Sequence, residues 1–128
     1  YAAVVPNFIT KMLKGESPTI FGDGEQSRDF TYVSNVVGAN LLATEAQNVS
    51  GEIFNIACGE RITVNSLAIK INELLGKDIS PVHDEPRPGD IGHSLADISK
   101  ARKMLKYEPL VSLDEGVEKT IRWYQERE

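Results

Sequence analysis

The chain contains a single cysteine, Cys58, in 128 residues, so it forms no internal disulfide and cannot supply a four-cysteine zinc site. No apolar run approaches the roughly 20 residues that span a bilayer. No basic-then-apolar leader opens the sequence, so the Asn48-Val49-Ser50 sequon reads as chance and the expected location is cytoplasmic. A basic face is also lacking. Fourteen lysines and arginines against nineteen acids leave a net charge of −5, which weighs against a nucleic-acid or anionic-membrane partner. There is no GxGxxG nucleotide fingerprint, no Walker loop, and no tyrosine followed four positions later by lysine.

What is present predicts a single α/β unit over residues 1–128, with several helices and small mixed sheet elements. Val4, Val5, Phe8, Ile9, Met12 and Leu13 recur at helical spacing and stop at Gly15, with Pro6 tolerable in a first turn. Thr19–Phe21 is a short β-branched and aromatic run, and DFTYV (Asp29–Val33) is a second. FGDGEQSRDF is therefore expected to join two short strands. Ser34 is placed to cap a helix running through Gln47. IFNIA (Ile53–Ala57) has the pattern of a strand buried on both faces.

Thr63 caps the clearest helix, striped by Val64, Leu67, Ala68, Ile71, Leu74 and Leu75 and ended by Gly76. Residues 80–90, SPVHDEPRPGD, hold three prolines and are expected to be extended or looped. Asp97 can cap a short helix carrying Ile98, Ala101 and Leu105. Ser112 and Glu115 have capping-box spacing ahead of a last helix with Leu113, Val117, Ile121 and Tyr124 inward.

Few residues offer chemistry. Asp23, Glu25 and Asp29 lack the spacing of a calcium loop, and Arg28 among them competes for their oxygens, so no metal is expected. The Gly22–Gly24 segment allows either a phosphate-cradling nest or a plain Asp-Gly turn. Arg28 follows that loop, and Arg87 sits between two prolines in PRPGD. Two positioned arginines can converge on a diphosphate or make ordinary surface pairs; residue type leaves both open. His83 and His93 lie in loop-like sequence without helical pairing, and no serine or cysteine stands in a nucleophile elbow.

Five stretches taken together carry a resemblance: YAAVVPNFI, PTIFGDGEQSRDFTYV, GEIFNIACGERITVNSLA, RPGDIGHSLADISKA and YEPLVSLDEGVEKTIRWY. In collinear order they resemble the C-terminal part of NAD-dependent nucleotide-sugar epimerases and dehydratases, the extended short-chain dehydrogenase/reductases. Within that family the likeness points to UDP-glucose and UDP-N-acetylglucosamine 4-epimerases, isomerases of carbohydrate metabolism.

The resemblance implies a substrate-binding portion whose partners are a UDP-sugar and an N-terminal Rossmann half. That half would hold NAD and every catalytic residue, leaving none in this chain and no metal. The backbone at Ala3 and Val4 is implied to touch the diphosphate, and that of Thr19 and Phe21 to read the uracil. Arg28 would clamp phosphate with Phe30 near the nucleotide, Arg87 would reach the diphosphate, Asp90 the ribose hydroxyls, and Val64 the base or ribose pocket. The chain opens at Tyr1 without methionine and is expected to be a fragment, inactive alone, of a homodimeric enzyme. Its IFNIA strand would lack a sheet and favour self-association. A dehydratase, another nucleotide-sugar epimerase, or a nucleotide-binding module without redox activity would carry the same motifs.

Overall fold

The computed structural model describes residues 3–127; Tyr1 and Ala2, which open the first quoted motif, lie outside them, as does residue 128. Nine elements follow in order: α1 (Val4–Leu13), β1 (Thr19–Phe21), β2 (Ser27–Arg28), α2 (Val33–Glu45), β3 (Ile62–Thr63), α3 (Val64–Leu75), β4 (Val82–Asp84), α4 (Ser99–Leu105) and α5 (Leu113–Gln125). None of these helices is long and apolar enough to cross a membrane.

The helices written most clearly form the main core. α3 starts where the Thr63 hydroxyl accepts from the Ser66 N–H and stops at a left-handed Gly76. α5 starts where Ser112 accepts from the Glu115 N–H, as the capping-box spacing predicts. Their apolar stripes meet that of α1, burying Phe8, Ile9 and Met12 against Leu67, Ala68, Ile71, Val117 and Ile121. Lys77 ties α1 to the end of α3, its ammonium donating to Met12 O and Leu13 O at 2.7 and 2.6 Å. A second cluster gathers Ala39 of α2, Ala57, Ile98, and Ala101 and Leu105 of α4 around Tyr107. The Tyr107 hydroxyl donates to Ala57 O at 2.7 Å.

Three expectations need correction. DFTYV is not a strand: β2 occupies Ser27–Arg28, and the chain then leaves the sheet. The reason is Asp29, whose carboxylate accepts from the backbone N–H groups of Cys58, Gly59 and Ala96 at 3.0, 2.9 and 3.4 Å. IFNIA is irregular as well, with Ile53 82% exposed. It has strand composition without a neighbouring edge among the described residues. α2 begins two residues early, behind Tyr32 rather than Ser34, with no side-chain cap, and ends at Glu45. The proline-rich stretch is extended or looped, as expected; its extended part is β4, which pairs in parallel with β1 in the register Thr19↔Val82, Ile20↔His83, Phe21↔Asp84.

β2 pairs antiparallel with β3, so the two strands flanking FGDGEQSRDF belong to different sheets and the loop is not a hairpin. Asp97 does brace the chain ahead of α4, its carboxylate accepting from the Ser99 N–H at 2.9 Å.

Two predictions follow from this packing. A Cβ on Gly116 of α5 would lie 2.9 Å from Tyr32 Cβ, an atom held close to its own backbone. Alanine normally improves a helix interior by about 0.5–1 kcal/mol, but overpacking costs about 1–3 kcal/mol. Gly116→Ala should therefore lower the thermal midpoint; a rise would show that Tyr32 yields freely.

Burial pushes the Cys58 thiol up from its usual 9.0, with the Asp29 charge adding to the effect, and burial likewise raises the Tyr107 phenol from 10.0. Both groups hold their protons more tightly folded than unfolded. Their contribution is full below about pH 9 and declines as pH climbs through the raised values. Urea midpoints should fall between pH 7 and 10.5, and Tyr107→Phe should shallow that fall; an identical pH profile in the variant would refute the assignment to Tyr107.

Candidate functional site

The loop after β1 is braced as a turn. Gly22 and Gly24 take φ of +83° and +80°, and the Gly22 N–H is used on Asp84 O at 2.9 Å. The first turn of α3 supports it from below: Asn65 Nδ2 donates to Asp23 O at 2.9 Å and to Glu25 Oε1 at 2.7 Å, while its backbone N–H reaches Gly24 O at 3.1 Å. A Cβ on Gly24 would come 2.0 Å from Asn65 Oδ1, so only glycine allows this approach. Asp23 Oδ1 accepts from the Glu25 N–H, and Gln26 Nε2 closes the loop on Phe21 O at 2.8 Å. The loop's acids are spent on its own framework. Among the described residues no group of three or more His, Cys, Asp or Glu is placed to hold a metal ion.

Over this turn returns the segment after β4, residues 85–94, all exposed. It runs beside β2, with the Ser27 N–H donating to Gly92 O at 2.8 Å and the Ser94 N–H to Ser27 O at 3.0 Å. The buried Ser27 hydroxyl meets His93 Nδ1 at 2.9 Å, and His83 Nδ1 meets Gly22 O at 2.7 Å. Arg28 Nη2 pairs with Asp90 Oδ1 at 2.7 Å, while its Nη1 donates to Ser27 O at 2.8 Å. The Arg87 guanidinium lies 3.8 Å from the centre of the Phe21 ring. Pro86 and Pro88 stiffen the backbone on both sides of that arginine, reducing the entropy lost when it is held.

Two hollows share Phe21 and Arg87 as a common wall. The first, of about 470 Å³, is lined by Asp23, Gln26, Asp90 and His93 among others. The second, of about 210 Å³, lies between α1 and β1 and is lined by Val4, Asn7, Phe8, Lys11 and Thr19. The parallel ladder is bonded at Pro18 O and Gly22 N–H. By alternation, the N–H groups of Thr19 and Phe21 face the other edge of β1, where no strand pairs among the described residues.

Of the residues expected at a site, Val4, Thr19, Phe21, Arg87 and Asp90 line these two hollows. Ala3 is exposed as the N-cap of α1, with no side-chain cap bond. Arg28 and Phe30 line a third recess of about 260 Å³ with Cys58, Glu60 and Arg102, and the Arg28–Asp90 pair joins it to the first hollow. Val64 is placed elsewhere: at 6% exposure it belongs to the α1–α3–α5 core, under the turn rather than in a hollow.

The sequence reading missed Asn7, Lys11, Gln26 and Asn65. Asn7 and Lys11 stand four apart, on the polar side of a helix whose apolar stripe alone was read, and that spacing was the available signal.

Residues 1–57 match the model of the NAD dependent epimerase/dehydratase family. The chain is 45% identical to the crystal structure of a UDP-glucose 4-epimerase from Thermotoga maritima with UDP-glucose, with a TM-score of 0.93 over 98% of this chain and 40% of that one. It is 42% identical to a UDP-N-acetylglucosamine 4-epimerase from Methanobrevibacter ruminantium in complex with UDP-N-acetylmuramic acid, again at 0.93, covering 100% and 41%. A UDP-glucuronic acid 4-epimerase from Bacillus cereus, in complex with UDP-glucuronic acid and NAD, aligns at 0.93 with 32% identity, covering 98% and 40%. The chain spans about two fifths of the curated relatives it matches as well, 39% and 41% of the first two. In sequence and in fold, the chain belongs to the NAD-dependent epimerase/dehydratase family and corresponds to the C-terminal portion of its enzymes.

Proposed function

We propose that this chain supplies the UDP-binding portion of an NAD-dependent UDP-sugar 4-epimerase. One observation carries the reading. The segment at 85–94 folds back so that Arg87 and Asp90 join Phe21 and Arg28, residues more than 60 positions earlier in the chain, around the free edge of β1. The three solved relatives described above have different sugars but hold a UDP-linked ligand in each case. A grip on the UDP end accounts for that common feature.

In this reading the diphosphate lies between Arg28 and Arg87, near the uncapped first turn of α1. That turn contains no acid, and its free N–H groups favour negative charge. Asp90, which pairs with Arg28 at 2.7 Å, accepts from the ribose hydroxyls as the guanidinium turns to phosphate. The uracil lies along β1, where the Thr19 and Phe21 N–H groups meet no strand. Charge-assisted bonds of this kind contribute about 1.5–3 kcal/mol each. The Arg28–Asp90 pair that they replace is partly exposed, at 26% and 39% of the two side chains, and is worth less than about 1 kcal/mol.

NAD, when bound, accepts the sugar's hydride and returns it; in our reading its contacts and the catalytic groups fall in the portion of these enzymes that this chain does not span. Two surfaces suit such a neighbour. α2 turns Val33, Val37 and Leu41 outward at 64%, 52% and 61% exposure, and Ile53 is 82% exposed beside them in sequence. A UDP-sugar positioned by its nucleotide end brings the sugar to the redox centre already oriented, a contribution that can reach several kcal/mol of the barrier.

The test is steady-state kinetics on the complete protein that carries this chain. Arg28→Ala and Arg87→Ala should each raise KM for the UDP-sugar about 10- to 100-fold, with NAD occupancy unchanged. Unaltered KM in both variants, or loss of NAD in either, would refute the assignment.

A further inference from the structure

Resting on that reading, we propose that Lys11, with Asn7 one turn before it on α1, faces the nucleobase and selects a pyrimidine with a carbonyl at C4 over one with an amine there. The second hollow carries the argument. Its walls hold two cations, Lys11 and Arg87, and the amide of Asn7, with no carboxylate among its lining residues. Neither Lys11 nor Arg87 makes an ion pair among the described residues. Arg87 is held on the Phe21 ring, so Lys11 is the cation of this hollow with neither an ion pair nor a cation–π contact among the described residues.

Complementing the C-terminal dipole of α1 gives a basic residue in its last turn a reason to be there. It does not explain why that residue lines the recess at Thr19 and Phe21.

Distance separates the roles of the two cations. Val4 and Lys11 are seven residues apart on one helix, about 10 Å along its axis. A diphosphate held at the Val4 end, by Arg28 and Arg87, lies about that far from the Lys11 backbone. A nucleoside spans that interval, and its base then falls at the free edge of β1, between Thr19 and Lys11.

A base there presents its edge to an ammonium, which has three donors and no acceptor. Uracil and thymine offer a carbonyl at C4; cytosine offers an amino group, which would face another donor. The backbone N–H groups of β1 are donors too, so both walls of the slot prefer carbonyls.

The experiment measures calorimetric dissociation constants of UDP, dTDP and CDP with the complete protein. The wild type should bind UDP and dTDP at least tenfold more tightly than CDP. Lys11→Ala should weaken UDP and dTDP about tenfold, the size of one charge-assisted hydrogen bond. CDP should change less than twofold, so the preference collapses, and Lys11→Arg should retain most of it.

An equal loss for UDP and CDP, or no loss for either, would overturn the role of Lys11 while leaving the nucleotide grip standing. UDP affinity unchanged by Arg28→Ala and Arg87→Ala, measured in the same series, would instead overturn the grip itself.

Discussion

A single carboxylate with three backbone donors organises this molecule. Asp29 receives the N–H groups of Cys58, Gly59 and Ala96, drawing three separate segments to one point. Two residues before it, Ser27 lies opposite Thr63 of β3 on one side and bonds Gly92 and Ser94 through its N–H and C=O on the other. Arg28 stands between these two anchors. Its backbone is thereby fixed on both flanks, and only the guanidinium has freedom to choose between Asp90 and an incoming anion. The position of the arginine is a property of the fold, and its partner a property of occupancy.

That division explains which parts of the structure the sequence disclosed. The three main-core helices were legible because their determinants are local: Thr63 and Ser112 cap their own helices, and the stripes of α1, α3 and α5 recur at helical spacing. Strand assignments fared worse for an equally physical reason. DFTYV and IFNIA have strand composition, yet a strand exists only where an edge is available to pair with it. Asp29 takes the backbone N–H groups that follow IFNIA and turns DFTYV away from the sheet. β4 had the reverse problem. VHD is exposed along its whole length and shows no alternation, so nothing in its composition announces the parallel pairing with β1.

The candidate site was legible to the extent that it uses charge. Arg28 and Arg87 were identifiable as a potential anion-binding pair, and the resemblance to nucleotide-sugar epimerases gave each an expected role and added Asp90 for the ribose hydroxyls. The structure brings them together with Phe21. Val64 was the exception, since a valine heading a helix can face a pocket or a core equally well and here faces the core. Asn65, next to it, is the residue of that turn with a polar task, supporting the loop through three hydrogen bonds. Periodicity identifies which face of a helix is apolar, but not which polar residue meets another segment.

The parallel pairing of β1 with β4 has a consequence for how the molecule comes to exist. Parallel neighbours cannot be joined by a tight turn, and here the crossover from Phe21 to Val82 carries α2, β3 and α3. The closure of so long a loop costs entropy before the contacts that reward it can form. The 85–94 segment in turn has nowhere to dock until β1 and β2 are in place. The hollows around Phe21 therefore exist only once that long closure is made, and recognition is a property of the whole topology rather than of any smaller piece.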